Sequence, residues 1–189
     1  MIDRIGITRR DQFLAITNAS FDISLLEILA PLLVGAQLHI VDGDSENSAT
    51  KVFGALDTRR FSILQATPAL WEMLLRAAPE TEFPKKRICG GDKLSVDVAW
   101  RLTSEQTDTW NCYGPTETTI WSSVYKVLGD EKVAVPIGLP IRNTQFHVLD
   151  EQMEPVECGE IGDLWIAGDG LALGYWRNPA LTANCFLPN

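Results

Sequence analysis

Residues 109–119 read TWNCYGPTETT, and the patterns on either side of this stretch decide the fold. Thr109 to Cys112 alternates as a strand and runs into a turn at Gly114 and Pro115. Upstream, strands and helices take turns. Phe13 to Thr17 reads as a short buried strand, followed by an apolar helix from Ile23 to Val34 that Pro31 should kink and Gly35 should end. Gln37 to Val41 is a second strand, and a helix from Ser48 to Leu56 follows the polar loop Asp42 to Asn47. Phe61 to Gln65 is a third strand, and Pro68 opens a helix that continues through Ala77. Arg87 to Cys89 is a strand ending at Gly90 and Gly91, and Ser95 caps a helix reaching Leu102. This alternation predicts an α/β fold, a parallel sheet covered by helices on both faces. After Gly114 helices disappear. Thr119 to Val127, Gln145 to Leu149 and Asp163 to Ala167 read as strands between Gly and Pro turns, which predicts a small β-rich, antiparallel or barrel-like part.

With 189 residues the chain can bury a real core, and 46% hydrophobic with 22% charged residues is globular composition rather than disorder. A net charge of −9 argues against a nucleic-acid or anionic-membrane partner, since both need a basic face. Cys89, Cys112, Cys158 and Cys185 are scattered without a CxxC pair, so reduced thiols in a cytoplasmic protein are expected rather than a zinc site or disulfide framework. Met1 to Asp11 lacks the apolar core of a signal peptide, and the apolar run Ile28 to Val34 is far too short to span a membrane. His39 and His147 sit inside apolar strand patterns and read as structural.

In parallel sheets ligands collect where strands end and loops begin. Four such loops stand out: Ser20 to Asp22, Ala66 to Pro68, Gly90 to Asp92, and Tyr113 to Glu117. The last offers turn amides and hydroxyls suited to a phosphate, with Glu117 able to hold a magnesium ion beside it. The plain alternative is a turn followed by a polar strand edge. For Asp22 that alternative is a carboxylate stabilised by a helix N-terminus, a role compatible with ligand binding.

The string from Asn111 to Glu117 is similar to the NxYGPTE hallmark of adenylate-forming enzymes. Phe21 to Ser24 resembles the FDxS motif of the adenylation domains of nonribosomal peptide synthetases, and Gly159 to Gly168 resembles their GE(I/L)xxLxIxG motif. Gly170 to Tyr175 continues toward the usual GLARGY, with Leu173 in place of the common arginine, and Asn178 to Thr182 resembles NRPxLT. The resemblance implies a flavodoxin-like subdomain over 1–117 carrying the substrate pocket, then part of a β-rich subdomain over 118–189. It also implies that the family's phosphate loop lies before residue 1, and its ribose aspartate and mobile C-terminal subdomain after Asn189. On that expectation the chain is an internal fragment, inactive alone.

Such enzymes join an amino-acid carboxylate to the α-phosphate of ATP with Mg2+, then pass the acyl group to phosphopantetheine on a peptidyl carrier domain outside this chain. By resemblance Thr116 contacts the α-phosphate and Glu117 binds the metal. Tyr113 stacks near the adenine, and Gly90, Gly91, Asp92, Asn111 and Gly114 complete the nucleotide side. Asp22 pairs with the substrate ammonium. The remaining pocket positions are Ile23, Leu26, Gln65, Ile88, Gly90, Cys112, Ile120 and Trp121, a set like the family's glycine-type pattern. It differs by Ile88 and Cys112, where leucine is frequent. Bulky walls leave little room, so glycine is the expected substrate and alanine the next, a methyl group being worth only about 1–3 kcal/mol. Leu26, Ile88 and Ile120 as ordinary core residues are the alternative. Two further readings stand beside this one: a truncated, non-catalytic amino-acid-binding remnant, and a relative that activates acyl or aryl acids, which lack the ammonium to pair with Asp22.

Overall fold

The computed structural model describes residues 1–41, 48–58 and 60–187, so the loop expected at Asp42 to Asn47 lies outside the described residues. Among them, no helix is long and apolar enough to cross a membrane.

A short helix, α1 (Ile2–Ile5), precedes β1 (Gln12–Ala15), whose apolar residues are buried on both faces as a central parallel strand requires. The chain then passes through α2 (Ser24–Val34), β2 (Gln37–Ile40), α3 (Ser48–Thr58), β3 (Ile63–Ala66), α4 (Pro68–Ala77), β4 (Lys86–Gly90), α5 (Val96–Leu102) and β5 (Asp108–Tyr113). Local chemistry sets the ends of these elements. Thr67 accepts a hydrogen bond from Leu70 N at 3.3 Å to start α4, and Ser95 does the same for α5 through Val98 N at 3.3 Å. Gly35 stops α2 at φ 70°, a left-handed conformation that costs glycine nothing. Pro31 does not break α2, which runs through it from Ser24 to Val34. The proline removes only the one bond to the carbonyl of Glu27, four residues back.

Strands β2, β1, β3, β4 and β5 pair in that order, all parallel. This 2-1-3-4-5 order is that of flavodoxin-like sheets. Helices α3, α4 and α5 pack on one face, where Val52, Trp71, Leu74, Val98 and Leu102 meet Leu64 and Cys89. Helix α2 covers the other, where Leu26 and Ala30 meet Phe13, Ile63 and Ile88.

The sheet does not end at residue 117. Two antiparallel strands, β6 (Ser123–Lys126) and β7 (Leu139–Pro140), extend it beyond β5. The strand expected over Thr119 to Val127 is shorter than that, because Thr116–Thr118 forms a 3-10 turn and Thr119 and Ile120 adopt left-handed φ of 62° and 69°. A separate antiparallel pair follows, β8 (Thr144–Leu149) with β9 (Asp163–Gly168). Helix has not vanished from this half, since α6 (Pro179–Cys185) is capped by Asn178, whose side chain accepts from Leu181 N at 3.1 Å. An Asn-Pro start is a helix signal that the run of strands around it obscures.

At the opposite edge from the loops, Asp11 ties three strand beginnings together. Its carboxylate accepts from Thr8 N at 2.7 Å, Ser62 Oγ at 2.7 Å and Lys86 Nζ at 2.9 Å. Burial alone would raise the Asp11 pKa, but the bonds from Ser62, Lys86 and Thr8 outweigh it and hold the carboxyl below its ordinary value. A carboxyl with a depressed folded pKa stabilises the fold above its unfolded pKa, and that contribution fades as pH falls through the folded value. Asp11→Asn is therefore expected to lose about 1–2 kcal/mol in urea unfolding at neutral pH, with a flatter decline below about pH 4. Parallel acid limbs for the two proteins would refute this.

Candidate active site

Strand alternation sorts the candidate residues onto the two faces of the sheet at its C-terminal edge. In register, Gln65 lies opposite Ile88, and Gly90 opposite Cys112. With a period of two, Gln65, Ile88, Gly90 and Cys112 share the α2 face. There Leu26, Ile88, Cys112 and Trp121 are buried in one apolar cluster, with Ile23 and Ile120 packed against it. Asp22 is half-buried just before α2. Ile23, Leu26, Gln65, Ile88, Gly90, Cys112, Ile120 and Trp121 thus lie on this face, with Asp22 next to Ile23 in the chain. Gly90 is fixed by its neighbours: a Cβ there would lie 2.4 Å from Trp121 Cη2 and 2.6 Å from the carbonyl of Cys112.

Asn111 and Tyr113 alternate to the other face. With Gly91, Asp92 and Gly114 they line a cavity of about 340 Å³, completed by Lys93, Leu94, Pro115, Val135, Ile137 and by Cys112, which borders both sides. The nucleotide set is therefore brought together, except for Gly90, which belongs to the apolar cluster side, and Thr116, which is exposed. Asn111 also has a structural task, donating through Nδ2 to Pro136 O at 2.8 Å.

Between the two faces the chain doubles back. Ser122 N donates to Tyr113 O at 2.7 Å, and Gly114 leaves no room for a side chain, since a Cβ would sit 2.5 Å from Ile120 O. Two successive β-branched residues at left-handed φ, Thr119 and Ile120, cost about 1–3 kcal/mol each, and strain of this kind gathers at functional sites. Tyr113 and Pro115 also line a second cavity of about 440 Å³, shared with Glu117 and Tyr175. The Tyr175 hydroxyl donates to Glu117 Oε1 and draws the carboxyl below the usual range. Ala172 N donates to Glu117 O at 2.8 Å, and Thr119 Oγ1 to Gly170 O at 2.6 Å. Segment 170–175 thus braces the turn from outside the sheet.

A magnesium ion fits this setting. The ion keeps several waters and uses one or two carboxylates plus substrate phosphates, so Glu117 beside the Thr116 hydroxyl is an adequate protein contribution. Among the described residues no cluster of three His, Cys, Asp or Glu forms a dedicated metal cage. Cys112 is no nucleophile: burial pushes its thiol pKa far up, and that of Cys89 to about 12.

Sequence reasoning missed Glu27. It is 1% exposed, and Oε2 accepts from Ile16 N at 2.8 Å and Thr17 N at 3.0 Å. Oε1 accepts from the Thr17 hydroxyl and from Gln65 Nε2 at 2.9 Å. Burial raises its pKa, and the bonds from Thr17, Gln65 and Ile16 offset only part of that. A signal was available: Ile23, Glu27, Ala30 and Val34 fall on one helix face, so the carboxylate stands in the inward stripe.

A family model described as AMP-binding enzyme matches residues 1–176. The chain belongs to the AMP-binding enzyme family. Within it, the chain is an adenylation-domain sequence of the nonribosomal peptide synthetase type. It is 38% identical to a dimodular nonribosomal peptide synthase of Bacillus subtilis, over 99% of this chain and 8% of that one. It is 33% identical to gramicidin S synthase 1 of Brevibacillus brevis, over 98% of this chain and 17% of the other. Among solved structures, holo-AB3403, a four-domain nonribosomal peptide synthetase bound to AMP and glycine, superposes with a TM-score of 0.89 at 40% identity, covering all of this chain and 14% of that one. The N-terminal subdomain of Klebsiella oxytoca NpsA in complex with 3-hydroxybenzoyl-AMSN superposes at 0.86 with 29% identity, over 98% and 48%. The adenylation-domain chain thus spans a small part of the synthetases it matches.

Proposed function

We propose that this chain forms the amino-acid-selecting portion of an adenylation domain that joins the carboxylate of glycine to the α-phosphate of ATP, releasing pyrophosphate, for later transfer of the glycyl group to phosphopantetheine on a carrier domain. The observation that carries the substrate is the Trp121 ring packed against the backbone of Gly90, so closely that a Cβ on Gly90 itself would lie 2.4 Å from the indole, which makes that wall of the cluster bulky and close. With Leu26, Ile88 and Cys112 buried around it, the apolar cluster suits a substrate with no side chain or a very small one. That a relative at 40% identity holds AMP and glycine supports the same reading.

In this reading Asp22 receives the ammonium group, which orients the carboxylate toward the turn at 113–117. The Gly91, Asp92, Asn111 and Tyr113 cavity takes the adenine, and Thr116 hydrogen-bonds the α-phosphate. Glu117, held by Tyr175, would be the protein's ligand to magnesium, which when bound neutralises charge on the phosphates. Rigid positioning is this segment's contribution: the strained turn and the braced Glu117 hold the turn amides, the Thr116 hydroxyl and the carboxylate where no rearrangement is needed as charge develops.

A second reading, an aryl-acid substrate, is favoured by the likeness to the NpsA subdomain solved with 3-hydroxybenzoyl-AMSN. Asp22 would then face no ammonium.

The test is to carry residues 1–189 within a complete adenylation domain of different specificity, in place of its matching segment. ATP–pyrophosphate exchange is then measured over the twenty amino acids and 3-hydroxybenzoate. A glycine maximum with alanine within roughly 10–200-fold is expected. A maximum with a large amino acid sinks the pocket-volume argument, and a maximum with the aryl acid installs the second reading.

A further inference from the structure

We propose that Glu27 fixes the side-chain amide of Gln65 with its nitrogen turned toward the carboxylate, so that Gln65 Oε1 is presented as a buried acceptor for the ammonium group of the amino-acid substrate. The inference rests on the glycine-activating reading above and adds to it a positioning residue and a second ammonium contact.

The orientation of the Gln65 amide is decided by what surrounds its nitrogen. Nε2 lies 2.9 Å from Glu27 Oε1 and 2.9 Å from the carbonyl oxygen of Ile23. Both neighbours are acceptors, so a flipped amide would set oxygen against oxygen twice. Glu27 cannot turn away to relieve this, because its other contacts are the two amides and the hydroxyl just beyond β1. An ionised carboxylate is the group that accepts from all of them at once.

The consequence falls on the other arm of the amide. Gln65 is 2% exposed, and Oε1 is buried with no hydrogen-bond partner among the described residues. A buried amide acceptor left unpaired costs about 1–3 kcal/mol, and native proteins rarely carry one without a use. Its place gives the use. Gln65 stands at the end of β3 on the same sheet face as Ile88, Gly90 and Cys112, and its nitrogen is bonded to Ile23, the residue after Asp22. An acceptor there, beside the apolar side chains of the α2 face and the Glu27 carboxylate, complements a small cation that donates several hydrogen bonds. A primary ammonium has three N–H groups, and Asp22 does not exhaust them.

The experiment uses residues 1–189 within the complete adenylation domain described above, with glycine and ATP varied separately. Gln65→Met keeps the side-chain length and removes the acceptor. It is expected to raise the KM for glycine roughly ten- to hundredfold while the KM for ATP changes less than about twofold. Glu27→Gln, which sets an amide NH2 where the carboxylate accepted only, against the donors of Ile16, Thr17 and Gln65, is expected to raise the glycine KM in the same selective way. Combined with Gln65→Met it adds nothing further, because it acts through that amide. Equal rises in both KM values, or additive effects of the two substitutions, would show Glu27 to be a packing residue only and overturn the proposal. An unchanged glycine KM in Gln65→Met overturns it as well, even should Glu27→Gln fail to fold. If the unsubstituted protein shows no glycine-dependent exchange, the functional reading itself fails, a result distinct from these.

Discussion

Asp22→Ala is expected to lower kcat/KM for glycine in ATP–pyrophosphate exchange by roughly two orders of magnitude, about 3 kcal/mol, with the KM for ATP nearly unchanged. The carboxylate is half-buried ahead of α2 and makes no side-chain hydrogen bond among the described residues. Its charge therefore stands free to meet a cation, and removing it leaves an ammonium facing an apolar cluster without its counter-charge. Asp22→Asn separates charge from shape. The amide keeps an oxygen acceptor but not the ion pair, and should recover about tenfold relative to alanine. The helix-stabilising alternative predicts something else: a stability loss of about 0.3–1 kcal/mol and equal effects on both substrates. Measuring the two KM values beside a urea midpoint distinguishes them. A drop in stability with unaltered glycine kinetics would remove Asp22 from the site.

The largest structural effect is expected at Gly114. A methyl group there would meet Ile120 O at 2.5 Å and Ser122 N and Trp121 Cα at 2.7 Å, all backbone atoms of the returning chain. No side chain can swing aside, so Gly114→Ala must push the two limbs of the turn apart. Its cost should be about 3 kcal/mol, lowering Tm by roughly 6–12 °C for a chain of this size. Exchange activity should fall further than stability does, because the same movement displaces Tyr113 from one limb and Trp121 from the other. Gly54→Ala supplies the control. Gly54 lies in α3 with open space where a Cβ would go, and the substitution should stabilise by about 0.5–1 kcal/mol. Equal melting temperatures for the two variants would refute the steric argument.

Much of this was legible before any coordinates. The helix starts at Pro68 and Ser95 and the stop at Gly35 are signals made within four residues of one another, and each is found in place. Alternation of strands and helices pointed to the parallel sheet for the same reason, since each element carries its own periodicity. The motifs at Phe21 to Ser24 and Asn111 to Glu117 pointed to the candidate pocket positions, of which Gln65, Ile88, Gly90 and Cys112 share one sheet face.

Other features were not legible. The antiparallel extension by β6 and β7 depends on where the chain goes after a turn, which no local period records. Ile120 in a left-handed conformation opposes its own β-branched preference, so its sequence reads as strand while the returning backbone sets it otherwise.

By itself the sequence determined the order of elements as far as β5, the parallel part of the sheet and the family of the chain, because these rest on short-range patterns and on motifs whose residues are neighbours in the chain. Only the tertiary structure decided which polar groups meet. Gln65 and Glu27 are 38 residues apart, Tyr175 and Glu117 58, and Lys86 and Asp11 75. A buried hydrogen bond needs its partners within about 3 Å and correctly oriented. That condition is met by the packing of whole elements against one another, and neither partner announces it alone.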